Sequence, residues 1–287
     1  MTAAECLCKL SPGETLGELS LRLEEEAGTP REKALEKLSG MLSVMESEVQ
    51  NALHIPVHSI SGLTGGDGCR YERYRVSGGS LLGEIPALAT AYALSASETN
   101  AAMGRIVACP TAGSCGILPA CVLAVAKVKG ISREGQLLAL AGAGLIGELI
   151  DEHASLSGAE GGCQAECGSA AAMAAGAVAQ MLGGSPEAAF HAAAIAIKNQ
   201  LGLVCDPVAG LVEIPCIKRN AGGVAIALSA ADMALAGVES RIPFDDVVEA
   251  MNRVGKALPA ALRETAGGGL ATTKAGLAMK EKVYGET

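Results

Sequence analysis

The sequence predicts an all-α fold. Three observations carry this reading. Apolar residues Leu35, Leu38, Met41, Leu42, Met45 and Val49 recur at three- and four-residue steps. Pro30, Pro86 and Pro243 stand where helices would open. Residues 117–238 form a long Ala-rich stretch with an almost wholly helical pattern. The 287 residues suffice for one large core or two smaller ones. The chain is 49% hydrophobic but only 2% aromatic, so that core must be built from small aliphatic residues. Its net charge of −9 and the lack of a long Lys/Arg run argue against a nucleic-acid surface. The few aromatic rings also remove the usual base-stacking platform. No uninterrupted apolar run of about twenty residues is present, so no membrane span is expected. The start, Met1-Thr2-Ala3-Ala4-Glu5, lacks the features of a secretory signal, and a cytoplasmic location is expected.

Residues 1–60 read as a charged, N-terminal helical extension, and 61–287 as one continuous helical core. The apolar stripe of the extension is expected to pack on the rest of the protein or on a partner chain. Ser61-Gly62-Leu63-Thr64-Gly65-Gly66-Asp67 is a glycine-rich loop without the Gly-Lys-Ser/Thr ending of a P-loop. Ser77-Gly78-Gly79-Ser80 is a turn, and Pro86 opens a helix running toward Met103. A short β-like piece at 104–109 leads into Pro110-Thr111-Ala112-Gly113-Ser114-Cys115-Gly116. Backbone N–H groups at the helix start beyond it could hold a carboxylate, with Thr111 and Ser114 adding hydroxyls. An ordinary helix cap is the alternative. Further helices are expected at 117–129, 133–152, 161–182, 186–201, 217–238, 244–256 and 273–282. Gly267-Gly268-Gly269 reads as a flexible turn.

Ten cysteines in such a chain need a reason other than a disulfide scaffold. There is no Cys-x-x-Cys pair, which weakens thioredoxin-type chemistry and the common zinc modules. Cys163 and Cys167 are four apart on one expected helical face. Cys205 and Cys216 lie at helix edges beside Pro207 and Pro215. Three such thiolates could carry a cluster and leave one iron open as a Lewis acid. The same residues could equally be small buried hydrophobes. Cys6 and Cys8 lie in a short N-terminus expected to be mobile. Of the histidines, His153 is expected to cap a helix, His191 to be hydrogen-bonded, and His54 and His58 to lie on the surface. None of them establishes a general base.

Three segments carry a close family resemblance: Gly161-Gly162-Cys163-Gln164-Ala165-Glu166, Leu201-Gly202-Leu203-Val204-Cys205-Asp206-Pro207-Val208-Ala209-Gly210 and Ile214-Pro215-Cys216-Ile217-Lys218-Arg219-Asn220. Together with Ser61–Asp67, Pro110–Ser114, Arg241-Ile242-Pro243 and Leu262–Thr265, they resemble the alpha chain of the two-chain, iron–sulfur-dependent L-serine dehydratases. The resemblance implies a 4Fe–4S cluster on Cys163, Cys205 and Cys216, and no pyridoxal phosphate. It selects Cys163 where geometry alone permits Cys167. It also implies conversion of L-serine to pyruvate and ammonia, within amino-acid catabolism and gluconeogenesis, together with a separate beta chain. Single-chain relatives supply a Ser-His-Thr motif from the fused equivalent of that chain. The motif is absent here, so the catalytic base is left unassigned, with the beta chain as its expected source. A homodimer or heterotetramer is expected.

The expected substrate contacts are Thr111, Gly113, Ser114, Asn199 and Lys218, with Arg219 beside the thiolates. Cys167 departs from a common Val, Cys115 from Ala and Cys109 from Thr. Two other readings stand beside this one. The first is a related iron–sulfur lyase acting on L-cysteine or another small hydroxy acid. The second is a non-catalytic cluster-binding subunit.

Overall fold

The computed structural model describes residues 1–285, so Glu286 and Thr287, the end of the expected core, lie outside the described residues. Among the described residues there are thirteen α-helices and no strand. They are α1 (Ala3–Lys9), α2 (Leu16–Glu26), α3 (Arg31–Asn51), α4 (Asp67–Val76), α5 (Glu84–Ala101), α6 (Ile117–Lys129), α7 (Arg133–His153), α8 (Gly158–Gly161), α9 (Ser169–Met181), α10 (Pro186–Lys198), α11 (Cys216–Leu235), α12 (Phe244–Ala257) and α13 (Lys274–Tyr284).

The centre of the fold is α9. Every residue from Ser169 to Ala179 is buried, as expected of a helix apolar on all sides. It packs on α6, α7, α10 and α11. Glycine sets how closely these helices approach. A Cβ at Gly176 would lie 2.2 Å from Ile146 Cδ1, and one at Gly223 of α11 would lie 2.5 Å from Ile117 Cδ1. Gly142 and Gly147, which weaken α7 as an isolated helix, serve the same purpose. Their missing side chains leave room for Gln180 and Met173. Helix starts follow their caps. Ser132, Ser185 and Thr273 accept from the backbone N–H of Gly135, Ala188 and Gly276.

Several expectations are corrected. The N-terminus is an ordered helix with a Thr2/Glu5 capping box. Ala3 N–H donates to Asp245 at 2.8 Å, and Cys6 is fully buried. The α3 stripe, by contrast, packs on the rest of the chain, one of the two placements expected for it. Leu42, Met45 and Val49 are buried, and α3 packs on α5 while α2 packs on α7. No strand forms at 104–109, because Val107 N–H donates to the Glu48 carboxylate at 2.7 Å rather than to a neighbouring strand. The expected helix 161–182 is broken at Gly162, which has φ +77°, and resumes as a π-helical turn over Gln164–Gly168 ahead of α9. The triple glycine carries a close contact. Gly269 lies against Asp206. One stretch, Ala112–Lys129, is long and apolar enough to cross a membrane, but 72% of it is buried inside the chain around α6.

Glu48 of α3 is 1% exposed, and its Oε1 has no hydrogen-bond partner. Burial pushes its carboxyl up from 4.5 to about 8, against the opposing pull of Val107 N–H. The folded chain therefore keeps a proton that the unfolded chain releases near its ordinary pKa. Stability from this group is present at low pH and falls as pH rises through this window. The stability of wild type relative to Glu48→Gln is expected to drop by on the order of 4 kcal/mol between pH 4.5 and 8. Urea melts at both pH values check this, and a pH-independent difference refutes it.

Candidate metal centre and active site

Three chain segments carry the buried cysteines of the site, and two of them bring their sulfurs together. The first runs from α8 through Gly162. A side chain at Gly162 would strike Leu258 Cδ1 at 2.6 Å and Leu203 O at 2.9 Å. Glycine is also suited to its left-handed φ. Cys163 follows directly. The second segment is the loop after α10. Its Cys205 is clamped on both backbone groups: N–H to Leu262 O at 2.9 Å, and O from Glu264 N–H at 2.8 Å. Gln164 ties the first two segments together, with its N–H on Leu203 O at 3.0 Å and its Oε1 accepting from Gly202 N–H at 2.8 Å. The third segment is the start of α11, where Cys216 is buried in the first turn.

The sulfurs of Cys163 and Cys205 and a carboxylate oxygen of Glu166 lie within 4.8 Å of one another. Arg219, nearly one turn after Cys216, secures this arrangement. Its Nη1 donates to Val204 O at 2.8 Å and lies 3.5 Å from Cys163 Sγ. Its Nη2 donates to Asp206 Oδ1 at 2.8 Å. Asp206 Oδ2 in turn accepts from Leu270 N–H at 2.8 Å. A Cβ at Gly269 would lie 2.3 Å from that Oδ2.

The electrostatics single out one thiolate. Hydrogen bonds from the Cys167 and Cys205 thiols, helped by the Arg219 charge, hold Cys163 well below the ordinary thiol range despite its burial. Donation to Cys163, together with burial, pushes Cys167 and Cys205 up. Burial, with the Cys163 charge, takes Cys216 to about 12. Glu166 rises to about 7, first through burial and then through the Cys163 charge. Loading a metal here would release the retained thiol protons. Soft, buried sulfur donors beside one guanidinium are the donor set that iron–sulfur clusters favour. The residues present therefore fit such a group.

Not every expected residue lies at this place. Thr111 does: its Oγ1 donates to Glu166 Oε1 at 2.9 Å. Gly113 does too, since a Cβ there would lie 3.1 Å from Glu166 Oε1. Ser114 is fully buried, its Oγ 3.1 Å from Thr111 Oγ1, so it braces Thr111. The turn is a single 3₁₀ turn, Ala112–Ser114, held by Asn220, which donates to Gly113 O at 2.8 Å and accepts from Gly116 N–H at 2.9 Å. Lys218 is exposed and ion-paired with Asp67. It lines a separate cavity of about 400 Å³ with His58, Thr64 and Ile214. Asn199 caps α10, its amide donating back to Ile195 O at 3.0 Å. His153 ends α7, with Nε2 2.8 Å from Met1 O, and His191 Nδ1 accepts from Ser240 N–H at 3.3 Å. The sequence reading missed Glu166 and Asp206 as functional groups. The three-residue spacing from Cys163 to Glu166 on a helical turn was the available signal for the first.

The Arg219–Asp206 pair is buried, with side chains 16% and 4% exposed. Arg219→Leu leaves Asp206 uncompensated and is expected to destabilise the metal-free chain by about 3–5 kcal/mol. Arg219→Leu combined with Asp206→Leu is expected to recover most of that loss. Chemical denaturation of both variants is the check. An equal loss in both would refute the pairing as the source.

Comparison with known proteins agrees with this geometry. The sequence profile of the family described as "Serine dehydratase alpha chain" matches residues 13–271. The chain is 50% identical to the "Probable L-serine dehydratase, alpha chain" of Bacillus subtilis over 255 residues, covering 89% of this chain and 85% of that protein. It is 50% identical to the "L-serine dehydratase, alpha chain" of Peptoniphilus asaccharolyticus over 264 residues, covering 89% of each. It is 48% identical to "L-serine dehydratase 1" of Escherichia coli over 183 residues, which is 63% of this chain but only 40% of that protein. With a buried thiol site at the convergence of its family-like motifs, this chain belongs to the serine dehydratase alpha chain family.

Proposed function

We propose that this chain is the alpha subunit of an L-serine ammonia-lyase, and that Cys163, Cys205 and Cys216 hold a 4Fe–4S cluster. The observation that carries the reading is the convergence of buried cysteine sulfurs on one carboxylate, in a chain of this family. When bound, the cluster supplies an iron without a protein ligand, a Lewis acid for the serine hydroxyl as leaving group. The remaining chemistry falls to the chain's own residues. Backbone N–H groups of Ala112 and Gly113, in the 3₁₀ turn, cradle the substrate carboxylate. Gly113 lets the substrate approach because it has no side chain.

Glu166 is the proton-handling group on this side of the site. In the metal-free chain, burial first and the Cys163 charge second raise its carboxyl to about 7, which suits it to holding a proton. Thr111 fixes Oε1, while Oε2 lies 4.0 Å from both Cys163 Sγ and Cys205 Sγ. Arg219 neutralises the thiolate charge that the site accumulates. The naming of its relatives as alpha chains supports a beta chain as partner, which would close the mouth over the turn and exclude water. Asn199 and Lys218 are left out of the substrate contacts, because their side chains are committed to Ile195 and Asp67.

The test is anaerobic purification with the beta chain, followed by product assays on L-serine, L-threonine, L-cysteine and L-malate. Pyruvate and ammonia from L-serine are expected as the preferred outcome. A complex that binds iron but turns over none of these substrates refutes the lyase reading. Preference for L-cysteine would favour the related desulfurising reading. Glu166→Gln is expected to lower kcat by about 10²–10⁴-fold with iron content unchanged. Thr111→Val, which keeps the carboxylate but frees it, is expected to cost about tenfold. Unchanged kcat in Glu166→Gln would remove it from proton transfer, and lost iron would make it a ligand instead.

A further inference from the structure

One family-like segment has no role in the chemistry above: Ser61-Gly62-Leu63-Thr64-Gly65-Gly66-Asp67. It belongs to a hairpin closed by an antiparallel bridge between His58 and Gly65. Gly66 N–H donates to Val57 O at 2.9 Å, and Ser59 N–H donates to Thr64 O at 3.0 Å. Glycine lets the two arms meet, since a Cβ at position 65 would lie 2.6 Å from Val57 O. At the end of the loop, the N–H groups of Asp67 and Gly68 donate to the buried Glu98 of α5 at 2.6 and 3.1 Å. The loop is therefore tied down along its length.

This loop grips the start of α11 on both sides of Cys216. Thr64 Oγ1 donates to Glu213 Oε2 at 2.7 Å, across 149 residues of chain. Asp67 pairs with Lys218. The first contact is the sheltered one, because Glu213 is only 5% exposed while Lys218 faces solvent. Glu213 and Cys216 belong to one hydrogen-bonded turn, in which Glu213 O accepts from Ile217 N–H at 3.0 Å. Val208 N–H donates to Ile214 O at 2.8 Å and closes the loop that leads into it. The ligand atoms that lie within 4.8 Å of one another are those of Cys163, Glu166 and Cys205, and Cys216 stands outside that group. The place of its sulfur is set by the turn that carries it.

We infer that Thr64 and Glu213 are positioning residues for Cys216. Their hydrogen bond holds the turn 213–217 where its sulfur can join those of Cys163 and Cys205 on iron. The inference rests on the cluster reading above. The competing account makes this contact a general stabiliser of the fold. The two accounts differ in which thiols respond when the hydrogen bond is removed.

Two rates are compared: alkylation of each thiol by iodoacetamide in the metal-free chain, mapped by mass spectrometry, and release of iron to a chelator from the anaerobically reconstituted chain. The variants are Thr64→Val, Thr64→Ser, Glu213→Ala and Cys216→Ser, each confirmed as folded by far-UV circular dichroism. Thr64→Val removes the donor and Glu213→Ala the acceptor. Both are expected to speed alkylation of Cys216 and release of iron by about tenfold. Cys163 and Cys205 are expected to react at their wild-type rates. Thr64→Ser keeps the hydroxyl and is expected to behave as wild type. A wild-type rate of either process in Thr64→Val and Glu213→Ala overturns the inference. Equal acceleration at Cys163, Cys205 and Cys216 overturns it too, as the mark of general loosening. So does a Thr64→Ser variant as fast as Thr64→Val. Full iron in Cys216→Ser, released at the wild-type rate, overturns the cluster assignment of Cys216 itself, and this inference with it.

Discussion

One buried guanidinium organises the site. Arg219 reaches Cys163 sulfur, the Val204 carbonyl and the Asp206 carboxylate from a single position on α11. It thereby joins the three segments that deliver the cysteines. An arginine fork is suited to this because its donors are fixed in one plane and it stays charged under burial. The charge has a second effect. It adds to the hydrogen bonds from the Cys167 and Cys205 thiols, which together let the Cys163 thiolate persist despite burial. Asp206 limits the cost of burying that charge, and Leu270 N–H satisfies the other oxygen of Asp206. The C-terminal loop is thereby drawn into the same network.

Small residues make this geometry reachable. Eleven consecutive buried positions on α9 are Ser, Ala, Met, Gly or Val. Without large side chains the helix axes come close. The same economy operates at the site. Gly158, Gly162 and Gly269 each occupy a position where a Cβ would meet a group of the sulfur network or its supporting loop within 3 Å. Glycine costs conformational entropy on folding. That cost is offset by backbone clamps, such as the paired hydrogen bonds between Cys205 and the Leu262–Glu264 strand-like segment.

Glu166 connects this framework to chemistry. Its carboxylate is pinned by Thr111 from the 3₁₀ turn on one side and faces two sulfurs on the other. The turn is itself held from behind by Ser114 and Asn220. Residues that read in sequence as a single polar motif therefore divide into Thr111, which contacts Glu166, and Ser114, which braces Thr111. Lys218 and Arg219 divide in the same way. They are adjacent in the chain, but the helix turns one outward to Asp67 and the other inward to the thiolate.

The sequence by itself determined the helical class and the extents of most helices, because period, caps and prolines are local signals. Helices α6, α7, α10 and α12 begin where predicted, and the Ser132, Ser185 and Thr273 caps mark the starts of α7, α10 and α13. It also determined the family, since motif identity needs no coordinates. What it left open was decided by contacts between distant residues. The break at Gly162 is set by Leu258 and Leu203, and the absence of a strand at 104–109 by Glu48, fifty-nine residues away from Val107. The sequence left the N-terminal stripe to pack either on the rest of the chain or on a partner, and contacts with α5, α6 and α7 decided for the chain itself. Glu166 was visible as a letter in a motif, but a carboxylate becomes a proton-handling group only through burial, a nearby thiolate and a hydroxyl from another segment. Those are tertiary properties, and no local spacing encodes them.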